Sequence, residues 1–198
     1  MSTTFYYPNR FVSYLFRAME EVMGQHGLDQ IMTQAGIDAV PPDDLTRAFP
    51  FERIAKLNAA LDEMYGQRGG RGMALRAGRS WFANGMKEFG ALNGIADPAF
   101  RRLSLDDRVK LALQAQADIF TNFSDQRSHL EVTPTSFQFV IENSPFAWGR
   151  QAEKPVCHPL VGLLQECARW ASNGRDYTVR ETHCIATGDA ACVVVINQ

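Results

Sequence analysis

The spacing of apolar residues changes about two thirds of the way along the chain. From Asn9 to about Phe123 they recur mostly every three or four residues, as expected for helices with one buried face. Ser104 and Asp107 have the spacing of a shortened capping box, which predicts where the last of these helices begins. We therefore expect residues 1–125 to form a helical elaboration.

Glycine and proline divide this helical half. A short helix over residues 29–35 is predicted to end at Gly36, before a turn-rich stretch that contains Pro41 and Pro42. Two further helices are predicted near residues 51–65 and 72–89. The glycine-rich residues 66–71 should separate them, because three glycines would destabilise a continuous helix.

After Ser128 the apolar residues alternate, which predicts strands. One hairpin is expected over residues 129–142 with its turn near Pro134, and a second pair of strands over residues 176–184 and 191–197. A helix with one apolar face fits residues 157–171. The predicted architecture is α+β in a single domain, 1–198, in which residues 126–198 form a small antiparallel sheet crossed by one long helix.

Composition and charge exclude several classes of protein. Hydrophobic residues make up 45% of the chain and charged residues 21%, which is typical of a globular protein and not of a disordered one. The formal net charge is -2, so no overall attraction to nucleic acid is expected. The longest apolar run, residues 190–196, is far shorter than the roughly 18 residues of a membrane span. Without a recognisable leader sequence, we expect a cytoplasmic protein that binds neither nucleic acid nor membrane.

Three of the four cysteines fall in a pattern that could bind metal. Cys157 precedes the predicted crossing helix, and Glu181, Cys184 and Cys192 lie around the final hairpin. Thiolates and a carboxylate are ligands that zinc accepts. Residues three apart on a flat strand point to opposite faces, so Glu181 and Cys184 could share an ion only across a bulge or at the strand's end. On spacing alone, buried free cysteines, which are common small hydrophobic residues, are the interpretation we favour.

The C-terminal third resembles a known family. The segments PVCHPLVGLLQECARWASNG and YTVRETHCIATGDAACVVVI are similar to the vinyl-4-reductase domain, as is the upstream Glu142-Asn143-Ser144. That family includes aromatic-sensing input domains of bacterial enhancer-binding regulators and stand-alone proteins linked to bacteriochlorophyll synthesis. The fold also resembles NO-signalling ligand-binding domains and small subunits of Golgi vesicle-tethering complexes. The resemblance covers the helical half only loosely.

This resemblance implies a structural zinc ion and an apolar pocket. The implied zinc ligands are Cys157, Glu181, Cys184 and Cys192, with His158 or His183 as substitutes should Glu181 not bind. Relatives enclose an aromatic ligand between the sheet, the crossing helix and neighbouring helices. By this resemblance, the candidate pocket-lining residues are Phe120, Phe123, Phe137, Phe139, Val161, Leu164 and Val179. Plain core packing is the alternative interpretation of these seven residues, and Cys167 is expected to be a core thiol.

Two other features suggest surfaces. Arg68, Arg71, Arg76 and Arg79 surround the glycine-rich segment, where backbone amides could bind an anion, but a solvated connection is the interpretation we favour. Small residues at Ala74, Gly78 and Gly85 would let another helix approach closely, within the chain or across a homodimer.

We therefore expect a zinc-stabilised, homodimeric protein that binds a small apolar or aromatic molecule, such as a hydrocarbon, as a sensor or carrier. The chain carries no familiar catalytic or nucleotide-cofactor motif, so an enzyme is not expected. Because the sequence ends directly after the domain, a sensor would need a separate signalling partner. Two alternatives stay open: an accessory protein or vinyl reductase of tetrapyrrole synthesis, and a protein-interaction scaffold.

Overall fold

Two long, kinked helices dominate the N-terminal half of this computed structural model, which describes residues 4–89 and 98–197. Helix α1 spans Asn9–Ala35 and helix α2 spans Phe51–Phe89. Each bends at one glycine with a positive φ, Gly24 at 74° and Gly66 at 69°. Helix α1 ends as predicted at Gly36, whose left-handed φ of 67° lets its N–H reach the last turn.

The predicted separation over residues 66–71 is wrong. Only Gly66 leaves helical geometry, and Gly69 and Gly70 continue the helix. A single left-handed glycine is enough to redirect the chain. A Cβ on Gly70 would lie within 2.6 Å of the Leu61 carbonyl oxygen, so the glycine there is required by close packing next to the bend and does not break the helix.

A small sheet precedes these helices and was not predicted. Strand β1, Tyr6–Pro8, pairs antiparallel with strand β2, Arg47–Pro50, and the two strands lead directly into α1 and α2. Three or four residues are too few for an alternating pattern to be recognised.

Helix α3, Leu105–Phe123, begins where the capping pattern predicts. The Ser104 hydroxyl accepts a hydrogen bond from the Asp107 backbone N–H at 3.1 Å, which satisfies one of the free amides of the first turn. The Ser104 hydroxyl also donates to the Asp107 carboxylate at 2.6 Å. This pair explains the start of α3.

The predicted C-terminal fold is confirmed. Strands β3 (Ser128–Val132), β4 (Ser136–Ile141), β5 (Thr178–His183) and β6 (Cys192–Asn197) form an antiparallel sheet of order β3-β4-β6-β5. Helix α4, His158–Ala171, lies between β4 and β5 in the chain and packs against α2, α3 and β5. Alternate residues of β4 and β6, including Phe137, Phe139 and Val194, are buried in the core.

Helices α2 and α4 approach so closely that each uses a glycine. A Cβ on Gly78 would overlap the carbonyl oxygen of Pro159, and a Cβ on Gly162 would overlap that of Leu75. The small residues predicted to allow a close helix contact therefore include Gly78, whose partner is α4 of the same chain. Gly85 meets nothing within 4 Å.

Across residues 4–89 and 98–197, no helix is both long enough and apolar enough to cross a lipid bilayer.

Candidate metal centre

Three thiols and one carboxylate meet where the last hairpin reaches the start of α4. The ligand atoms of Cys157, Glu181, Cys184 and Cys192 all lie within 4.8 Å of one another. The Cys192 sulfur is 3.5 Å from the Cys157 sulfur and 3.7 Å from the Cys184 sulfur. Two thiolates on one tetrahedral zinc ion are about 3.8 Å apart, given Zn–S bonds of about 2.3 Å. The spacing of the cluster therefore suits a single ion.

An irregularity in β5 allows Glu181 and Cys184 to face the same point. The pairing of β5 with β6 shifts register between Glu181 and His183, and Cys184 directly follows the end of the strand. Both features remove the strict alternation that would send residues three apart to opposite faces. Cys192 opens β6, and Cys157 is the residue before α4.

Neighbouring groups hold the cysteines in place. The Asp189 carboxylate accepts hydrogen bonds from the Cys184 backbone N–H at 2.8 Å and from the Thr187 hydroxyl at 3.0 Å. The Ile185 N–H donates to the Cys192 sulfur at 3.3 Å. The Ser144 hydroxyl lies 3.1 Å from the Cys157 sulfur. Sequence reasoning missed the role of Asp189, although its place in a Gly-Asp turn between two candidate ligands is a usable signal.

The Glu181 carboxylate is positioned as a metal ligand would be, because only one of its two oxygens has a hydrogen-bond partner among the described residues. Its Oε2 accepts a hydrogen bond from the Cys157 backbone N–H at 2.8 Å. Its Oε1 is buried and has no hydrogen-bond partner among the described residues. Burial, with the neighbouring Cys184, raises the pKa of this carboxyl to about 8. A buried oxygen without a partner is costly, and a cation bound there would remove that cost.

The thiols need a cation in order to ionise together. Burial raises the pKa of Cys157 well above its usual value, and hydrogen bonds with Cys184 and Cys192 raise it further. Hydrogen bonds from Cys157 and Cys192 lower the pKa of Cys184, so the negative charge is stabilised on that sulfur. A divalent ion stabilises all the thiolates at once, which is why such clusters lose protons when they bind metal.

The substitute ligands and the fourth cysteine lie outside this cluster. His183 is exposed, with its ring 3.1 Å from the Thr182 hydroxyl, and His158 is half-buried at the start of α4. Cys167 is fully buried on α4, and burial raises its pKa.

The seven predicted pocket residues all lie in or against the hydrophobic core. All but Phe123 are buried, and Phe123 is half-buried against the same core. Phe120 stacks on Tyr7, with ring centroids 6.0 Å apart. A nearby interior cavity, bounded by α1, α2, Phe146 and Pro159, has a volume of about 10 Å³. Val161 alone of the seven lines a much larger open cleft of about 560 Å³ beside the metal centre.

The C-terminal part of the chain matches a known protein family. Residues 137–198, which contain all four candidate ligands, match the family model of the vinyl-4-reductase domain. The match covers 62 of the 198 residues of the chain. No curated protein matches the chain.

Solved structures similar to the whole chain are H-NOX proteins. An H-NOX protein from S. oneidensis in the Fe(II)NO ligation state has a TM-score of 0.64 at 10% identity, over 93% of this chain and 97% of that one. The Fe(II) unliganded H-NOX protein from K. algicida has a TM-score of 0.58 at 14% identity, over 96% and 95%. A structure described as modulating haem redox potential through porphyrin distortion has a TM-score of 0.61 at 13% identity, over 96% and 94%. The chain thus has the fold of this NO-signalling class.

The residues of this chain do not fit a histidine-ligated haem in the interior. Its four histidines are all in the described residues: His26, His129 and His183 are exposed, and His158 is half-buried beside the open cleft. None of them lies within the apolar core. The clustered donors of this chain are sulfur and carboxylate.

Proposed function

We propose that this chain is a small-molecule sensor or carrier whose C-terminal third is braced by a structural zinc ion. The observation that carries the proposal is the cluster of Cys157, Glu181, Cys184 and Cys192, together with the unpartnered oxygen of Glu181. The ligand-binding fold and the match to the vinyl-4-reductase domain support the assignment to small-molecule binding.

Zinc is the metal that best suits this donor set. Three thiolates and a carboxylate satisfy its tetrahedral preference and leave no position for water or substrate, so the ion would be structural. It would join the β5–β6 hairpin to the start of α4. We propose binding rather than catalysis for the same reason, and a reducing compartment such as the cytoplasm because the four cysteines are free thiols.

The proposed ligand is a small apolar or aromatic molecule taken up between α3, α4 and the inner face of the sheet. Phe120, Phe139 and Leu164 are buried there and would form its walls. Since these side chains are buried in the core, the ligand would select a second packing in which they move apart. A shift of this kind could be passed to a separate signalling partner or to a second copy of the chain.

Metal analysis of thiol variants tests the zinc proposal. Protein purified without added zinc should contain one zinc ion per chain. Cys184→Ser with Cys192→Ser should lose the ion and unfold at lower temperature. Cys167→Ser is the matched control, because it removes a buried thiol outside the cluster, and it should retain zinc. The proposal would be contradicted if the native protein contained no zinc and the double serine variant unfolded at the same temperature as the native protein.

Native mass spectrometry of protein isolated from its own cells tests the ligand. The expected result is a retained small apolar molecule, released without loss of zinc. A retained tetrapyrrole would instead support an accessory role in tetrapyrrole synthesis. If no small molecule is retained, and toluene and naphthalene do not raise the melting temperature, small-molecule binding in the core is contradicted.

A protein-interaction scaffold is the second candidate function. The observation that favours it is the small cavity near Phe146, whose volume of about 10 Å³ holds about one water molecule. Such a protein would act through its surface and would be unaffected by toluene. A stable complex with another protein in cells, formed without any retained small molecule, would support this alternative.

A further inference from the structure

A second concave site lies beside the metal centre. The cleft of about 560 Å³ is bounded by α2 on both sides of its bend, by residues 150–156, by the start of α4 and by β5. Its volume falls within the usual range for small-molecule sites. Its lining is different in kind from the aromatic core, because charged side chains form much of it.

Cationic side chains from separate parts of the chain converge on this cleft. They are Arg68, Arg71, Arg150, Lys154 and Arg180. Three carboxylates also line it: Asp62 is paired with Arg150, Glu181 lies in the thiol cluster, and Glu153 is exposed. In the described part of the chain, no ion pair joins the other four cations to a carboxylate. This concentration is local, since the chain as a whole has a net charge of -2.

Arg150 has an unsatisfied donor at the cleft. Its Nη2 donates to the Asp62 carboxylate at 3.1 Å. Its Nη1 is buried and has no hydrogen-bond partner among the described residues. A buried guanidinium nitrogen without an acceptor is costly, so a small rotation of Arg150 that brings this nitrogen to an anion oxygen in the cleft would be favourable.

The arginines that line the cleft are not the group that the sequence suggests. The sequence places Arg68, Arg71, Arg76 and Arg79 around a glycine loop, but residues 67–71 are helical. Arg68 and Arg71 line the cleft, whereas Arg79 donates to the side chain of Gln165. The other basic residues that line the cleft beside Arg68 and Arg71 are Arg150, Lys154 and Arg180, which are distant in sequence.

We propose that this cleft binds a small organic anion through a carboxylate or phosphate group. Arg71, Arg150 and Arg180 would hold the anionic group, because guanidinium forks match both carboxylate and phosphate oxygens. Leu75 and Val161 supply an apolar wall for the remainder of the molecule. This site goes beyond the proposed core ligand and does not require it.

Calorimetric titration of the full chain tests this site, with citrate as the carboxylate probe and pyrophosphate as the phosphate probe, at low salt. At least one probe should bind with a dissociation constant of about 1 mM or tighter. Arg71→Ala and Arg180→Ala should each weaken that binding about tenfold. Arg76→Ala, on the same helix as Arg71 but outside the cleft lining, should change it less than about twofold. The probe that binds more tightly identifies the anionic group.

Two results would overturn the site. One is the absence of binding heat with both probes, and the other is equal weakening by Arg71→Ala and Arg76→Ala, which would indicate diffuse surface charge. Zinc content is measured on every variant. If Arg180→Ala loses zinc, the test of the anion site rests on Arg71→Ala alone, because Arg71 lies on an element that supplies no metal ligand. Anion binding by a protein found to lack zinc would uphold this site while contradicting the zinc proposal.

Discussion

Single residues around the candidate metal centre have separable tasks. Cys157, Cys184 and Cys192 bring sulfur atoms to within 3.7 Å of a neighbour, and Glu181 adds an oxygen. Asp189 contacts none of those atoms directly. It fixes the backbone of Cys184 instead, so its contribution would be to the orientation of a ligand.

Replacing Asp189 with alanine should weaken zinc binding without abolishing it. The substitution removes the acceptor for the Cys184 N–H and the Thr187 hydroxyl, so the turn between the two cysteines loses its support. We expect a loss of about 10-fold to 100-fold in zinc affinity, as is typical when an orienting group is removed. Competition with a coloured chelator at fixed pH measures the change.

Asp176→Ala is the matched control, because Asp176 is an exposed carboxylate in the loop before β5. It should leave zinc affinity unchanged. Equal affinities for the two variants would show that Asp189 does not orient the centre.

Residue types could be predicted from the sequence more readily than their surroundings. The four candidate ligands were identified because thiol and carboxylate chemistry is evident from the residues and their resemblance to a family. The unsatisfied nitrogen of Arg150 was not identified from the sequence, because it depends on the contact with Asp62, 88 residues away in sequence. Burial and long-range pairing are properties of the folded chain.

At the scale of elements, the contact between α2 and α4 positions one end of the metal centre. Gly78 and Gly162 let the two helix backbones approach, and α4 begins directly after Cys157. A wider separation of the helices would move this ligand relative to the hairpin that carries the other three.

Gly78→Ala and Gly72→Ala should have opposite effects on stability. A Cβ at position 78 would overlap the Pro159 carbonyl oxygen, and we expect the forced displacement to cost about 1–3 kcal/mol. A Cβ at position 72 meets nothing within 4 Å, so alanine there should stabilise α2 by about 0.5–1 kcal/mol. Urea unfolding measures both. Similar stabilities for the two variants would contradict the close helix contact.

Element types followed from periodicity where segments were long. Helix α3 and strands β3 to β6 were predicted because each has several residues of consistent spacing and a recognisable cap or turn. The bend at Gly66 was mistaken for a loop, since composition does not distinguish one left-handed glycine from a break of six residues. The pairing of β1 with β2 joins residues about 40 apart, which no local pattern reveals.

At the scale of the whole molecule, the fold and the site chemistry point in different directions. The overall shape is that of H-NOX proteins, but the donors gathered in this chain are thiols and a carboxylate. The histidines are exposed or lie beside the cleft, and most of the aromatic side chains that the structure describes are buried in or packed against the hydrophobic core. Similar folds can support different sites, so the site chemistry carries the functional argument.

Haem should therefore not form a one-to-one, histidine-ligated complex with this protein. Titration of purified protein with haem, followed by visible absorption, should show only weak and non-saturating changes, because no histidine lies in the core. His158→Ala provides the control, as His158 is the least exposed of the four. A saturating spectrum that His158→Ala abolishes would contradict this prediction.

The account rests most heavily on one ion held by three sulfurs and one carboxylate. X-ray absorption at the zinc edge, on protein purified without added metal, measures that ligand set directly. The predicted result is three sulfur ligands at about 2.3 Å and one oxygen ligand at about 2.0–2.2 Å. Absence of zinc, or a shell made only of nitrogen and oxygen, would contradict it.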